Sequence, residues 1–145
     1  MKLHSDSNAA FNTVTAYGDG YVEVNQERHQ GAVSFGPEGA VQALAIAAPE
    51  DITSALLLQA AGVPAQAPNP FADLEPEVAR VTPAGNTEVV LVGTGKTQRF
   101  LRPEVTHPLL MAGVGVEVMD TQAAARTYNI LMAEGRHVVA VLMPA

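Results

Sequence analysis

The last third of the chain carries the most regular hydrophobic pattern. Residues 88–92 form a near-continuous apolar run, Glu88-Val89-Val90-Leu91-Val92, as expected of a strand covered on both faces, and Gly93-Thr94-Gly95 ends it. Beyond Pro103 the pattern predicts a helix that carries Leu109, Leu110 and Met111 and stops at Gly113. Val114, Val116 and Val118 then alternate with period two over residues 114–119, which predicts the next strand. Asp120 or Thr121 is placed to cap a helix running to Glu134, with Gly135 as its terminator. Residues 137–142 read as the final strand. Strand, helix, strand, helix, strand predicts parallel pairing with right-handed crossovers.

The first half is less regular. Residues 11–16 are strand-like, Tyr17-Gly18-Asp19-Gly20 is a turn signal, and Tyr21-Val22-Glu23-Val24 alternates, so an N-terminal β-hairpin is expected. Ala32-Val33-Ser34-Phe35, closed by Gly36-Pro37, reads as a third short strand, and residues 41–46 are a fourth candidate weakened by alanines. Pro49-Glu50-Asp51-Ile52-Thr53 places acids and a proline where a helix's first turn tolerates them. Ile52, Ala55, Leu56 and Ala60 continue at helical spacing until Gly62. Residues 63–86 contain Pro64, Pro68, Pro70, Pro76 and Pro83 and predict a long mobile connection, with a short turn of helix near 71–78. Residues 1–10 are polar and unpatterned and are expected to be a disordered tail. The organisation expected is one α/β domain over residues 11–145, a β-rich N-terminal hairpin and meander packed on a βαβαβ half.

Composition narrows the functional classes. A chain of 145 residues with 48% hydrophobic and 16% charged positions is a foldable domain, not a disordered polyelectrolyte. Only 5% is aromatic and Trp is absent, so Ala, Val, Leu, Ile and Met must build the core. A net charge of −7 argues against nucleic acid, whose phosphates demand a surplus of Lys and Arg. With no cysteine, disulfides, thiolate zinc sites and cysteine nucleophiles are excluded. Residues 1–10 lack the apolar stretch of a secretory signal and the arginines of a transit peptide. No apolar run approaches the roughly 20 residues that span a bilayer. No membrane insertion and a cytoplasmic location are therefore expected.

The run Gly113-Val114-Gly115-Val116-Glu117-Val118-Met119-Asp120-Thr121, followed by Ala124, Arg126-Thr127-Tyr128-Asn129-Ile130-Leu131 and Glu134-Gly135-Arg136, resembles a family signature. Gly93-Thr94-Gly95 belongs to the same pattern. The family is the one that includes the respiratory complex I assembly factor 3 homologues and adipogenesis-associated cytosolic relatives. The resemblance covers residues 88–142 closely and the N-terminal strands loosely. It implies a three-layer α/β fold around a central mixed, mostly parallel sheet. It also implies bacterial relatives without a defined role and mitochondrial ones that help to assemble complex I. Ala125 stands where many relatives carry a cysteine, so a thiol-based role does not transfer, and residues 63–86 form a longer stretch than is usual in the family.

Chemistry is sparse. Gly95-Lys96-Thr97 follows a strand, but a phosphate-binding P-loop needs a glycine where Val90 stands, and Pro103 leaves little room for the helix that would hold phosphate. Gly93-Thr94-Gly95 and Asp120-Thr121 both follow the C-terminal ends of predicted parallel strands, where α/β sheets form ligand crevices. Backbone amides and the Thr94 and Thr121 hydroxyls could meet a small polar or anionic group there, with Lys96, Arg99 and Arg102 nearby. The plainer reading is a tight turn using two glycines for positive φ, with Asp120 as a helix cap. Arg126, Asn129 and Arg136 either bond loops and pair with Glu134 and Glu117, or form a basic patch that docks a partner. The helix that bears them is expected to bury Ala123, Ala124, Thr127, Ile130, Leu131 and Ala133. His4, His29, His107 and His137 have no metal-ligand spacing, Ser34 is not in a nucleophile elbow, and Asp73, Glu75 and Glu77 read as a solvated face. The functional expectation is a non-enzymatic recognition or assembly-factor-like domain without a cofactor, binding a protein partner or a second copy. The alternative is a binding protein or enzyme for a small anionic or carbonyl compound at the glycine turn.

Overall fold

Strands made of Val, Leu and Ala on both faces must lie between two other layers, and this requirement organises the molecule. The computed structural model describes residues 11–63 and 87–144. In chain order the elements are β1 (Val14–Gly18), β2 (Tyr21–Val24), β3 (Glu27–His29), β4 (Ala32–Phe35), β5 (Gln42–Leu44), a 3-10 turn (Pro49–Asp51) and α1 (Ser54–Ala60). They continue with β6 (Val89–Gly93), α2 (Pro103–Met111), β7 (Gly115–Met119), α3 (Thr121–Ala133) and β8 (Val138–Leu142).

Five strands form a mixed sheet in the order β5-β4-β8-β6-β7. β6 pairs in parallel with both β7 and β8, and β4 pairs antiparallel with β8 and β5. Every residue of β6 and β8 is buried. Val90 and Val92 face a core shared with Leu57 of α1 and Val105 and Leu109 of α2, while Val89 and Leu91 face one shared with Ala124, Ala125 and Tyr128 of α3. The second face is completed by the antiparallel sheet β1-β2-β3 through Val14, Val22 and Val24. The result is a three-layer α/β fold.

Several local expectations are corrected. β1 extends to Gly18, which pairs with Tyr21, so the turn is Asp19-Gly20 and does not begin at Tyr17. β3 has no counterpart among the expected strands, because Glu27-Arg28-His29 shows no apolar alternation. It forms because Asn25 and Gln26, at φ 55° and 68°, reverse the chain in a two-residue turn. The helix predicted with its first turn at residues 49–53 starts only at Ser54, capped by the Thr53 hydroxyl, which accepts from the Leu56 amide at 3.2 Å. Pro49–Asp51 is a separate 3-10 turn closed by the Asp51 carboxylate, which accepts from the amides of Ala47 and Ala48. Residues 1–10, the connection over 64–86 and the acids Asp73, Glu75 and Glu77 lie outside the described residues. Among the described residues no helix is long and apolar enough to cross a membrane.

The buried stripe of α3 is rotated from the expected one. Thr121, Ala124, Ala125 and Tyr128 are buried, whereas Ile130 is 58% exposed. Tyr128 displaces the aliphatic candidates because its hydroxyl has a partner: it donates to the Asn12 carbonyl at 2.8 Å. Its ring meets Phe35 edge to face, with centroids 4.8 Å apart. Burial pushes the Tyr128 hydroxyl well above the ordinary tyrosine range. The unfolded chain then releases this proton first, so the stability it confers is complete below pH about 10 and declines as pH rises past that value. Tyr128→Phe should show a flatter alkaline fall in urea midpoint than the parent. Parallel curves would contradict the assignment.

Candidate functional site

β6 and β7 end side by side, and their connections leave for opposite faces of the sheet, α2 to one and α3 to the other. This is the switch point where open α/β sheets ordinarily leave a crevice. Here the protein fills it. The Thr94 amide donates to the Met119 carbonyl at 3.0 Å, the Thr121 amide to the Gly95 carbonyl at 2.9 Å, and the Met143 amide to the Gly93 carbonyl at 2.9 Å. The Thr121 hydroxyl accepts from the Gly95 amide at 2.8 Å and donates to the Met143 carbonyl at 2.6 Å. The Thr94 hydroxyl donates to the Thr97 carbonyl at 2.8 Å and accepts from the Arg99 amide at 2.9 Å. Thr121 is fully buried and Thr94 is 5% exposed. Asp120 caps α3, accepting from the Ala123 amide at 2.8 Å.

Gly93, Thr94, Gly95, Asp120 and Thr121 are thus brought to one corner, as the strand order required. The expected reason for two glycines holds for one of them. Gly95 lies at φ 101°, but Gly93 is not among the positive-φ residues. It is needed for closeness instead: a Cβ on Gly93 would sit 2.9 Å from the Thr121 Cα and 2.9 Å from the Leu142 Cδ2.

Arg126, Asn129 and Arg136 do not join this corner; Arg126 and Asn129 both reach β1, and Arg136 pairs elsewhere. Asn129 pairs with β1, its side-chain amide donating to the Val14 carbonyl at 2.8 Å and accepting from the Val14 amide at 2.9 Å. Arg126 donates to the Tyr17 hydroxyl at 3.1 Å. Arg136 lies beyond the far end of α3 and pairs with Glu88 at 3.0 Å, not with Glu134 or Glu117. Seven helical rises, about 10 Å along the axis, separate Arg126 from the last residue of α3, and Arg136 lies past that end. The His137 amide, then the Arg136 guanidinium, holds the Glu88 carboxyl below the usual carboxylate range.

One feature escaped the sequence pattern. Residues 94–102 contain no regular structure, yet side chains hold them from three directions. Thr94 anchors Thr97 and Arg99, Gln98 Nε2 donates to the Val118 carbonyl at 3.0 Å, and Arg99 is paired with Glu50. Lys96 reaches Asp19 at 3.6 Å, so two of the three clustered cations already have acidic neighbours. The segment presents Phe100 to solvent at 86% exposure, on the rim of a cavity of about 350 Å³ lined also by Pro49, Ile52, Leu101 and Val105. The only signal for it in the sequence is a lone aromatic between Arg99 and Leu101-Arg102, in a chain with four Phe, three Tyr and no Trp. Among the described residues no cluster of His, Asp and Glu is suited to a metal ion.

The model of a family described as "Protein of unknown function (DUF498/DUF598)" matches residues 14–143. The chain belongs to the DUF498 family. Two solved structures from Bordetella resemble this DUF498 member over most of its length. A Bordetella pertussis protein titled a Mth938-like domain is 58% identical, covering 99% of this chain and 92% of its own, with a TM-score of 0.76. A Bordetella parapertussis protein is 54% identical, with coverage of 94% and 98% and a TM-score of 0.77. The mouse NADH dehydrogenase [ubiquinone] 1 alpha subcomplex assembly factor 3 is 44% identical over 57 residues. That match takes in 39% of this chain and 31% of the mouse protein, so the DUF498 chain spans under a third of this curated relative.

Proposed function

We propose that this DUF498 protein is a non-enzymatic recognition domain that docks a protein partner through Phe100. The exposure of that ring on a pinned loop is the observation that carries the reading. Exposing a phenylalanine to water is unfavourable, and anchoring the loop that carries it lowers the ordering cost that binding would otherwise incur. A ring beside a cavity provides a knob and a hole, the arrangement in which interface energy concentrates. The relatives named complex I assembly factors support it, because assembling a complex requires protein partners. The alternative ligand at Gly93-Thr94-Gly95 has little to hold it, since the Thr94 and Thr121 hydroxyls already donate and accept within the protein.

Quantitative co-purification of the parent and Phe100→Ala from the same native extract tests this. The variant should lose about 2 kcal/mol or more of partner affinity, roughly thirty-fold, with an unchanged melting temperature. Equal recovery of the same partner by both would remove Phe100 from the interface.

A further inference from the structure

β7 closes one side of the five-stranded sheet, and among the described residues no strand pairs with its other edge. Its ladder to β6 uses the odd positions: the Gly115 amide donates to the Glu88 carbonyl, and the Met119 carbonyl accepts from the Thr94 amide. In a parallel ladder successive residues turn their peptide groups to opposite sides, so those of Val116 and Val118 point away from β6. The Val118 carbonyl bears this out by accepting from the Gln98 side chain at 3.0 Å. The Val116 amide, the Val116 carbonyl and the Val118 amide form the rest of the outward row. Side chains of Val116 and Val118 lie on the face covered by α2, next to Val105 and Leu109, while Glu117 is exposed on the opposite face. The same helix ends in exposed Leu110 and Met111.

We infer that the β7 edge accepts an extended segment of another protein as an added strand, with a Lys or Arg opposite Glu117 and β-branched residues beside Val116 and Val118. Charge selects this occupant over a second copy. In the two-fold register that engages both outward residues of each strand, Val116 exchanges bonds with Val118 of the other copy, which places Glu117 directly opposite its own counterpart. Like charges at that separation oppose pairing, and a cation there favours it. Gln98 acts as a removable guard on one acceptor of the row. This inference goes beyond the Phe100 reading and does not depend on it, because it concerns different atoms.

The test is a nuclear magnetic resonance titration of the full chain, Phe100 intact, with the probe acetyl-Thr-Ile-Lys-Ile-Thr-amide and its Glu-for-Lys analogue. The Lys peptide should shift the Val116 and Val118 amides and bind several-fold more tightly than the Glu peptide, and Glu117→Lys should reverse that order. Gln98→Ala should strengthen Lys-peptide binding by freeing the Val118 carbonyl. Val116→Pro, which removes an outward donor and leaves the β6 ladder untouched, should abolish it. Shifts confined to other residues, or equal binding of both peptides to the parent and to Glu117→Lys, would overturn the inference.

Discussion

Gly93→Val is expected to lower the denaturation midpoint by a large margin. The obstacle is contact on two sides, not backbone conformation. A Cβ would press at 2.9 Å on the Thr121 Cα, which belongs to the main chain, and at 2.9 Å on Leu142 of the neighbouring strand. Leu142 can turn, but Thr121 is fixed by the amide and hydroxyl bonds that join it to Gly95 and Met143. Valine adds two methyl groups to a strand already buried on both faces. Overpacking of this kind costs about 3 kcal/mol or more, a large part of the roughly 5–15 kcal/mol that keeps a domain folded. Circular dichroism with denaturant titration measures it. A midpoint equal to the parent's would mean that the corner has room, and the close-packed account of it would be wrong.

Thr121→Val should cost about 2 kcal/mol or more although the side-chain shape barely changes. The substitution deletes a hydroxyl that serves two backbone groups at once, the Gly95 amide and the Met143 carbonyl. Thr121 is fully buried, so water cannot readily replace it, and an unsatisfied buried group costs about 1–3 kcal/mol. Thr121→Ser keeps the hydroxyl and loses only a methyl, so it should recover most of the difference. Equal urea midpoints for the valine and serine variants would show that the hydroxyl contributes nothing.

These two residues show where the sequence was legible and where it was not. β6 and β8 stand out as apolar runs of four and five residues and β7 as a period-two alternation, and their pairing follows from the intervening helices. That geometry brings Gly93-Thr94-Gly95 beside Asp120-Thr121, and Asp120 is the cap its position predicted. What the corner does with its polar groups could not be read, because Met143, which takes the Thr121 hydroxyl, lies 22 residues away and carries no pattern of its own. β3 was invisible for a related reason: it is polar and held by a turn of Asn25 and Gln26. The rotation of α3 depended on Tyr128 finding the Asn12 carbonyl 116 residues away, so aliphatic periodicity favoured Ile130 instead. Phe100 sits in an unpatterned loop, and nothing local distinguishes an aromatic that will face water from one that will be buried.

The functional account follows from the sealed corner. With the customary crevice occupied by the protein's own hydrogen bonds, the proposed docking site is the exposed ring on the anchored loop just beyond that corner. Replacing Phe100 with a photo-reactive benzoyl-phenylalanine in the full chain, and irradiating in a native extract, probes this position directly. The account predicts one predominant protein adduct, displaced by excess parent protein but not by excess Phe100→Ala. No adduct above the level obtained with the same group at Leu110, or one displaced equally by both competitors, would contradict it.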